Sequence, residues 1–152
     1  MISLKRTTVT DPAFMELVSM LDKDLWARYP DKQGIFAPSN KLDERVQVVV
    51  AFSEGQPVAC GGFRPTSSST EIEVKRMFVH PAFRGKGISR MILQELERWA
   101  SEQHYTSAIL ETGIKQPEAI RLYETSGFTR IPNYGPYQDI EESVCMRKLF
   151  AS

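Results

Sequence analysis

The sequence predicts a single mixed α/β domain over residues 1–152, for three reasons. The chain is long enough to bury one hydrophobic core and too short for two. Stretches with alternating apolar residues, typical of strands, are interspersed with stretches of helical spacing. Repeats, low-complexity segments and linkers are absent from the sequence. The order of elements is strand, helix, antiparallel strands, helix, strand, helix and two strands, which is typical of a mixed α/β fold.

The first half contains one helix between strands. Residues 2–9 alternate weakly and predict an edge strand. Asp11 and Pro12 are typical of a helix start, and apolar residues follow at helical spacing until the Tyr29-Pro30 pair. A β-hairpin is then predicted from the segments VQVVVAF and PVACGGF around the turn SEGQ, followed by a polar loop, RPTSSST. A third strand in series covers residues 71–79.

The second half begins with an amphipathic helix, predicted from about Gly85 to Gln103. The segment TSAILET predicts a strand, and QPEAIRLYETSG predicts a helix with Pro near its start and Gly127 past its end. Two closing strands follow, FTRI and SVCMRKLF, separated by the loop PNYGPYQDIEE.

Composition excludes several classes of function. Lys plus Arg and Asp plus Glu both number 19, so the net charge is zero, which argues against a nucleic-acid partner or an acidic membrane surface. Cys60 and Cys145 lie in apolar runs and are interpreted as reduced core residues. His80 and His104 have no metal-ligand spacing, so no metal is expected. Without a signal-peptide pattern or a membrane-length apolar run, a cytoplasmic location is expected.

One loop carries the pattern of an anion site. Strand 71–79 leads into Arg84, Gly85, Lys86 and Gly87 at the start of the second helix, where unpaired N–H groups and the helix dipole favour negative charge. The glycines allow a close backbone approach and the cations add charge. The alternative is that the glycines only turn the chain and the cations are solvated.

Two common phosphate loops do not fit. A mononucleotide P-loop needs Gly where His80 stands and Ser or Thr where Gly87 stands. A dinucleotide fingerprint needs Gly where Arg90 stands. The segment RGKGIS instead resembles the Arg/Gln-x-x-Gly-x-Gly/Ala loop of the GCN5-related N-acetyltransferases, with Ser89 in place of the final Gly or Ala.

A second segment resembles the same family. QPEAIRLYETSGF is similar to its pattern Asn-x-x-Ala-x-x-Leu-Tyr-x-x-x-Gly-Phe, with Gln116 in place of Asn. The two motifs lie about 30 residues apart in the expected structural order, and the resemblance covers nearly the whole chain. It implies a mostly antiparallel central sheet with flanking helices, and acetyl-CoA or a related acyl-CoA as co-substrate.

The resemblance also implies which residues bind the co-substrate. The loop amides hold the pyrophosphate, and the fourth strand and Gln116 contact the pantetheine arm. The expected co-substrate-binding residues are Met77, Phe78, Val79, Arg84, Gly85, Lys86, Gly87, Ile88, Ser89 and Gln116.

Acetyl transfer to an amine requires a base and a proton donor. An amine with a pKa of about 10.4 is neutral in only about one molecule in a few thousand at pH 7, so a carboxylate that accepts its proton helps. The resemblance makes Glu73 the first candidate. Either Glu71, on the same face of the strand, or Glu111, at the end of the neighbouring strand, can assist or substitute. Alternation places Glu73, Lys75 and Met77 on one face of the strand and Arg76 on the other.

Each catalytic assignment has a structural alternative. Glu73 can be a strand-end carboxylate that only pairs with Lys75 or Arg76. Tyr123 matches the family tyrosine taken to protonate the sulfur of coenzyme A, and it can equally be a packed helix aromatic. An acetyl-cysteine intermediate is disfavoured, because neither cysteine has a nearby His or cationic motif to lower its pKa.

The acceptor side is predicted from two loops rich in aromatic residues. Trp26, Tyr29, Tyr134 and Tyr137 can form a wall for a cationic amine, or can simply be loop packing. The predicted activity is acetyl transfer from acetyl-CoA to a primary amine by direct attack, with a small-molecule acceptor favoured. The alternative is a non-catalytic acyl-CoA sensor. A homodimer through the final strands is conceivable on this sequence.

Overall fold

The computed structural model describes residues 1–28 and 43–150. The described residues form a seven-stranded sheet of order β1-β2-β3-β4-β5-β7-β6 and three α-helices. The strands are β1 (Ile2–Thr8), β2 (Gln47–Ser53), β3 (Gln56–Pro65), β4 (Glu71–Val79), β5 (Ser107–Gly113), β6 (Thr129–Ile131) and β7 (Ser143–Leu149). The helices are α1 (Pro12–Arg28), α2 (Ile88–Glu102) and α3 (Pro117–Thr125). All strand pairs are antiparallel except β4 with β5.

Helices cover both faces of the sheet. On one face, α1 packs its apolar residues Phe14, Leu17 and Leu21 against β2, β3 and β4. On the other face, α2 and α3 pack against the central strands in the larger core cluster. The predicted fold class and element order are therefore confirmed. None of the helices in the described parts of the chain has the length and apolarity needed to cross a membrane.

Two predicted boundaries differ from the structure. Strand β3 continues to Pro65 instead of ending at Phe63, since Arg64 and Pro65 still pair with Glu73 and Ile72 of β4. Helix α2 begins at Ile88 and not near Gly85, because the loop residues before it have left-handed backbone angles that end the helical geometry. The predicted homodimer stays a prediction.

A β-bulge in β4 corrects the predicted alternation. Cys60 pairs with Phe78 and Gly62 with Lys75, so Arg76 and Met77 together oppose the single residue Gly61. The bulged residue Arg76 has φ +63°, in the left-handed region. Beyond a bulge the side chains change face.

The consequence is visible in the packing. Met77 packs in the core cluster on the α2 face, whereas Arg76 pairs with Asp22 of α1 on the opposite face. The prediction that Met77 shares a face with Glu73 and Lys75, and that Arg76 lies on the other, is therefore wrong. Gly61 makes the bulge possible, because a Cβ there would meet the sulfur of Met77 and a methyl group of Ile92.

Candidate functional site

A cleft opens where β4 and β5 separate. The two strands pair in parallel only at Glu71–Ser107, Ile72–Ala108 and Glu73–Ile109 among the described residues. Beyond these pairs, residues 73–79 of β4 and 111–113 of β5 line opposite walls of a cavity of about 550 Å³. A sheet edge opened in this way offers backbone N–H and C=O groups to an extended ligand.

The loop before α2 closes one end of this cleft. Gly85 and Gly87 both line it, with φ of +79° and +78°. In the described parts of the chain, no atom other than those of the glycines' immediate neighbours lies within 4 Å of where a Cβ would be added at either residue. A side chain there would occupy the open space beside the helix N-terminus. The two glycines thus form an open cradle at the N-terminus of α2.

Most predicted co-substrate-binding residues line the cleft. The set comprises Met77, Phe78, Val79, Arg84, Gly85, Gly87, Ile88, Ser89 and Gln116. Lys86 does not line it, and its Nζ lies 5.4 Å from the ring centroid of Phe83. Arg84 donates from Nε to the carbonyl of Val79 at 2.9 Å, which ties the loop to the end of β4.

Glu73 lies at the point where the strands part, only 4% exposed. Arg64 donates from Nε to its Oε1 at 2.8 Å, and Tyr134 donates its hydroxyl to Oε2 at 2.6 Å. Arg64 also bonds Asp43 at 3.2 Å. Both oxygens of Glu73 are therefore engaged, Oε1 by a charge-assisted hydrogen bond and Oε2 by a short one.

Glu111 faces the same cleft from β5. Burial raises the pKa of Glu111 to about 7, and the charge of Glu73 acts in the same direction. A hydrogen bond from Ser143 at 2.9 Å and the charge of Lys75 partly offset this rise. A carboxyl group with such a pKa exchanges a proton readily near neutral pH.

Tyr123 lies on α3 in the wall of the cleft. It is buried and packs edge-on against Phe128, with ring centroids 5.7 Å apart. Burial raises the pKa of Tyr123, and the neighbouring Glu111 adds to this effect. The phenol is therefore protonated at neutral pH, as a hydrogen-bond donor must be.

Gln116 is the N-cap residue of α3. Its Oε1 accepts the backbone N–H of Gly113 at 3.2 Å, so its side chain joins the end of β5 to the start of the helix. Gln116, which stands where the resembled pattern has Asn, also lines the cleft.

The four aromatic residues predicted for the acceptor side have different positions. Tyr137 is buried and lines the cleft, and Tyr134 packs against it edge-on while it bonds Glu73. Trp26 is 59% exposed and is not among the residues that line the cleft. Tyr29 lies outside the described residues.

Sequence reasoning missed the roles of Arg64 and Arg76. Arg64 lies directly opposite Glu73 in the ladder between β3 and β4, a register that is set by the turn between the two strands. Arg76 lines the cleft only because the bulge redirects it. In the described ranges no group of three or more His, Cys, Asp or Glu residues is arranged to hold a metal ion.

Comparison with known proteins identifies a family. The sequence profile described as "Acetyltransferase (GNAT) family" matches residues 12–128. An IAA acetyltransferase of Azospirillum brasilense is 31% identical over 148 residues, covering 97% of each chain. The uncharacterized N-acetyltransferase YjgM of Escherichia coli K12 is 33% identical over 139 residues, covering 84% of this chain and 82% of the other.

Solved structures agree with this relationship. A Klebsiella pneumoniae chain to which acyl-CoA N-acyltransferase activity is ascribed superposes with a TM-score of 0.82 and 29% identity, covering 98% of this chain and 97% of the other. The PaiA N-acetyltransferase of Thermoplasma acidophilum, solved in complex with coenzyme A, has a TM-score of 0.71 at 15% identity and covers 99% of each chain. The second likeness is one of fold alone.

Proposed function

This chain belongs to the acetyltransferase (GNAT) family, and we propose that it transfers the acetyl group of acetyl-CoA directly to the primary amine of a small-molecule acceptor. The observation that carries the proposal is the cleft between β4 and β5, which has a glycine cradle at one end and titratable carboxylates at its centre. Bound acetyl-CoA supplies an activated acyl thioester; the protein supplies binding, orientation and proton transfer.

The loop and the open edge of β4 are proposed to bind acetyl-CoA. The positive φ of Gly85 and Gly87, the start of α2 at Ile88 and the half-buried Ser89 favour a diphosphate at this point. The backbone of Met77 and Val79 would contact the pantetheine arm. Because the carbonyl of Val79 already accepts a hydrogen bond from Arg84, the loop and this strand end form one unit.

We assign Glu111, ahead of Glu73, as the group that accepts the proton of the attacking amine. Glu111 has a pKa of about 7, near the pH at which it has to work, whereas both oxygens of Glu73 are engaged by Arg64 and Tyr134. Glu73, held by Arg64 and Tyr134, would then lie beside the amine of the acceptor. Glu73 stays the second candidate, and the two glutamine variants distinguish them.

Tyr123 is the proposed proton donor to the leaving thiolate. It lines the cleft from α3 and remains protonated because its pKa is raised. A phenol at this place can donate a hydrogen bond to the sulfur as negative charge develops, and can then protonate the thiolate. The amine's proton passes to the carboxylate, and exchange with solvent restores the proton of the phenol and removes that of the carboxylate. The nearby Tyr134 and Tyr137 would contact the acceptor, by their positions beside Glu73 and in the cleft wall.

The first experiment is a thermal titration of the purified protein with acetyl-CoA, followed by a panel of amines with thiol detection. A ligand at a hundred times its Kd that binds only the folded state stabilises it by about 2.7 kcal/mol. We expect stabilisation of the wild type and little in a variant carrying Arg84→Ala and Gly87→Trp. If acetyl-CoA stabilises neither protein while both are folded, acetyl-CoA is not the ligand. Stabilisation of the wild type by acetyl-CoA without turnover of any amine would favour the non-catalytic acyl-CoA sensor.

A further inference from the structure

The bulged residue of β4 is held in an unfavourable backbone conformation beside the cleft. Arg76 has φ +63°, a left-handed region that residues with a Cβ seldom adopt. Such strain persists where the surrounding structure enforces it, often at ligand-binding sites. Here it directs the guanidinium away from the α2 core and into the cleft, beside α1.

Arg76 and its neighbour Lys75 place two cations in the cleft wall. Both residues line the cleft, and the Arg76 side chain is only 8% exposed. Burial lowers the pKa of Arg76 and that of Lys75, despite the opposing effects of nearby carboxylates. The surroundings therefore do not fully compensate the desolvation of the two positive charges, and an anion that bound there would be favoured.

The ion pair between Arg76 and Asp22 is long and partly exposed. Asp22 Oδ1 lies 3.5 Å from Nη1 of Arg76, and the Asp22 side chain is 52% exposed. Charge-assisted hydrogen bonds to Arg usually measure about 2.7–2.9 Å, and exposed ion pairs contribute little. Because Asp24 also lines the cleft from α1, an incoming carboxylate would bind in competition with acidic neighbours and with modest affinity.

The two cations lie next to Glu73 and Glu111, the carboxylates proposed to interact with the amine of the acceptor. Glu73 and Lys75 are two residues apart in β4, about 6.6 Å along a strand, and Lys75 and Glu111 influence each other's pKa. A short molecule with an amine and a carboxylate can therefore direct its amine to Glu111 and Glu73 while its carboxylate reaches the cations.

We propose that the acceptor is a small amino carboxylate whose carboxylate binds Arg76, in a bidentate manner, with Lys75 beside it. The planar guanidinium matches a carboxylate better than a point charge does. This inference rests on the proposed function, because the acceptor's amine is the group that is acetylated at the same site.

Matched acceptors test the proposal. Each protein α-amino acid, together with β-alanine and 4-aminobutyrate, is assayed beside its carboxamide, which keeps the amine and removes the negative charge. For the best pair, the wild type should have a kcat/KM at least about tenfold higher for the acid. In Arg76→Gln this ratio should fall to near one, and Arg76→Lys should retain part of it. The control Arg98→Gln, on the exposed side of α2, should keep the wild-type ratio.

Two outcomes overturn the inference while leaving the acetyltransferase intact. One is a wild type that acetylates amides as well as acids, and the other is an unchanged ratio in Arg76→Gln. Acetyl-CoA binding without acetylation of either member of any pair also removes amino carboxylates as acceptors. Absence of acetyl-CoA binding in the thermal titration contradicts the proposed function itself, and the inference falls with it.

Discussion

At the loop end of the cleft the lining comes from one short segment, Arg84 to Ser89 without Lys86, whereas around Glu73 it comes from separate segments of the chain. The loop acts through its backbone, with glycines at positive φ before a helix N-terminus. The carboxylate end acts through side chains that Arg64, Tyr134 and Ser143 hold in place. The comparison teaches that damage to the first end should impair binding of acetyl-CoA, and damage to the second should impair turnover.

The largest expected effect is at the carboxylate end. Glu111→Gln should lower kcat by about 10²–10⁴-fold, because a positioned proton acceptor contributes roughly that much. Its affinity for acetyl-CoA should stay near that of the wild type. In the wild type, kcat/KM should rise with pH through about 7, as Glu111 loses its proton, and the variant should lack this limb. The pH–rate profiles of Glu111→Gln and Glu73→Gln show which carboxylate it is; loss of the limb only in the latter would contradict the assignment.

The same group makes a prediction for stability. The pKa of Glu111 is about 7 in the folded protein against an ordinary value of 4.5, so between these values the folded state binds more protons than the unfolded state. Stability must then fall as pH rises from about 4.5 to about 7. Glu111→Gln removes this dependence and should raise Tm relative to the wild type at about pH 8, while the two differ less at about pH 5. Parallel melting curves across this range check it; equal pH slopes would mean that Glu111 titrates normally.

A substitution at the loop end should separate binding from turnover. Gly87→Val forces a branched side chain into the left-handed region and into the cradle, and should weaken acetyl-CoA binding by about a hundredfold, or ~2.7 kcal/mol. Gly55→Val is the matched control, since Gly55 has the same φ of +78° and equally open space. It lies in the turn between β2 and β3 and does not line the cleft. Calorimetric titration should show wild-type affinity for acetyl-CoA in the control. An equal loss of affinity in both variants would mean that backbone strain alone causes the effect.

Tyr123 lies between the two ends of the cleft, and Tyr123→Phe should have a smaller effect on activity than the preceding substitutions. Removal of the hydroxyl should lower kcat by about tenfold or more and leave the Kd for acetyl-CoA nearly unchanged, because the ring keeps its contact with Phe128. Steady-state kinetics at saturating acetyl-CoA measure this. A wild-type kcat would assign Tyr123 to packing alone.

The smallest effect concerns the acceptor. Tyr134→Phe removes the hydrogen bond to Oε2 of Glu73 and should raise the acceptor's KM a few-fold, since Arg64 still holds Oε1. Tyr105→Phe, at a tyrosine that packs on Phe63 away from the cleft, serves as the control. The same KM for the acceptor in both variants would mean that Tyr134 does not contribute to acceptor binding.

The difference between the two ends also explains what the sequence could predict. The element order and the loop from Arg84 to Ser89 were predictable, because hydrophobic periodicity and a contiguous motif depend on neighbouring residues. The pairing of Arg64 with Glu73 depends on the turn between β3 and β4. The direction of Arg76 depends on a bulge, which shifts the register by one residue where β4 passes Gly61. Alternation alone therefore placed Met77 and Arg76 on the wrong faces. The bond from Tyr134 to Glu73 spans 61 residues and has no local signal.

The central claim is that the opening between β4 and β5 is the acetyl-CoA site, and a crystal structure of the protein with coenzyme A tests it most directly. The account predicts the pyrophosphate against the backbone amides at Gly85 to Ser89. It also predicts the pantetheine arm between residues 74–79 of β4 and 111–113 of β5, with the sulfur near Tyr123. Coenzyme A bound elsewhere, with this cleft empty in the same crystal, would contradict it.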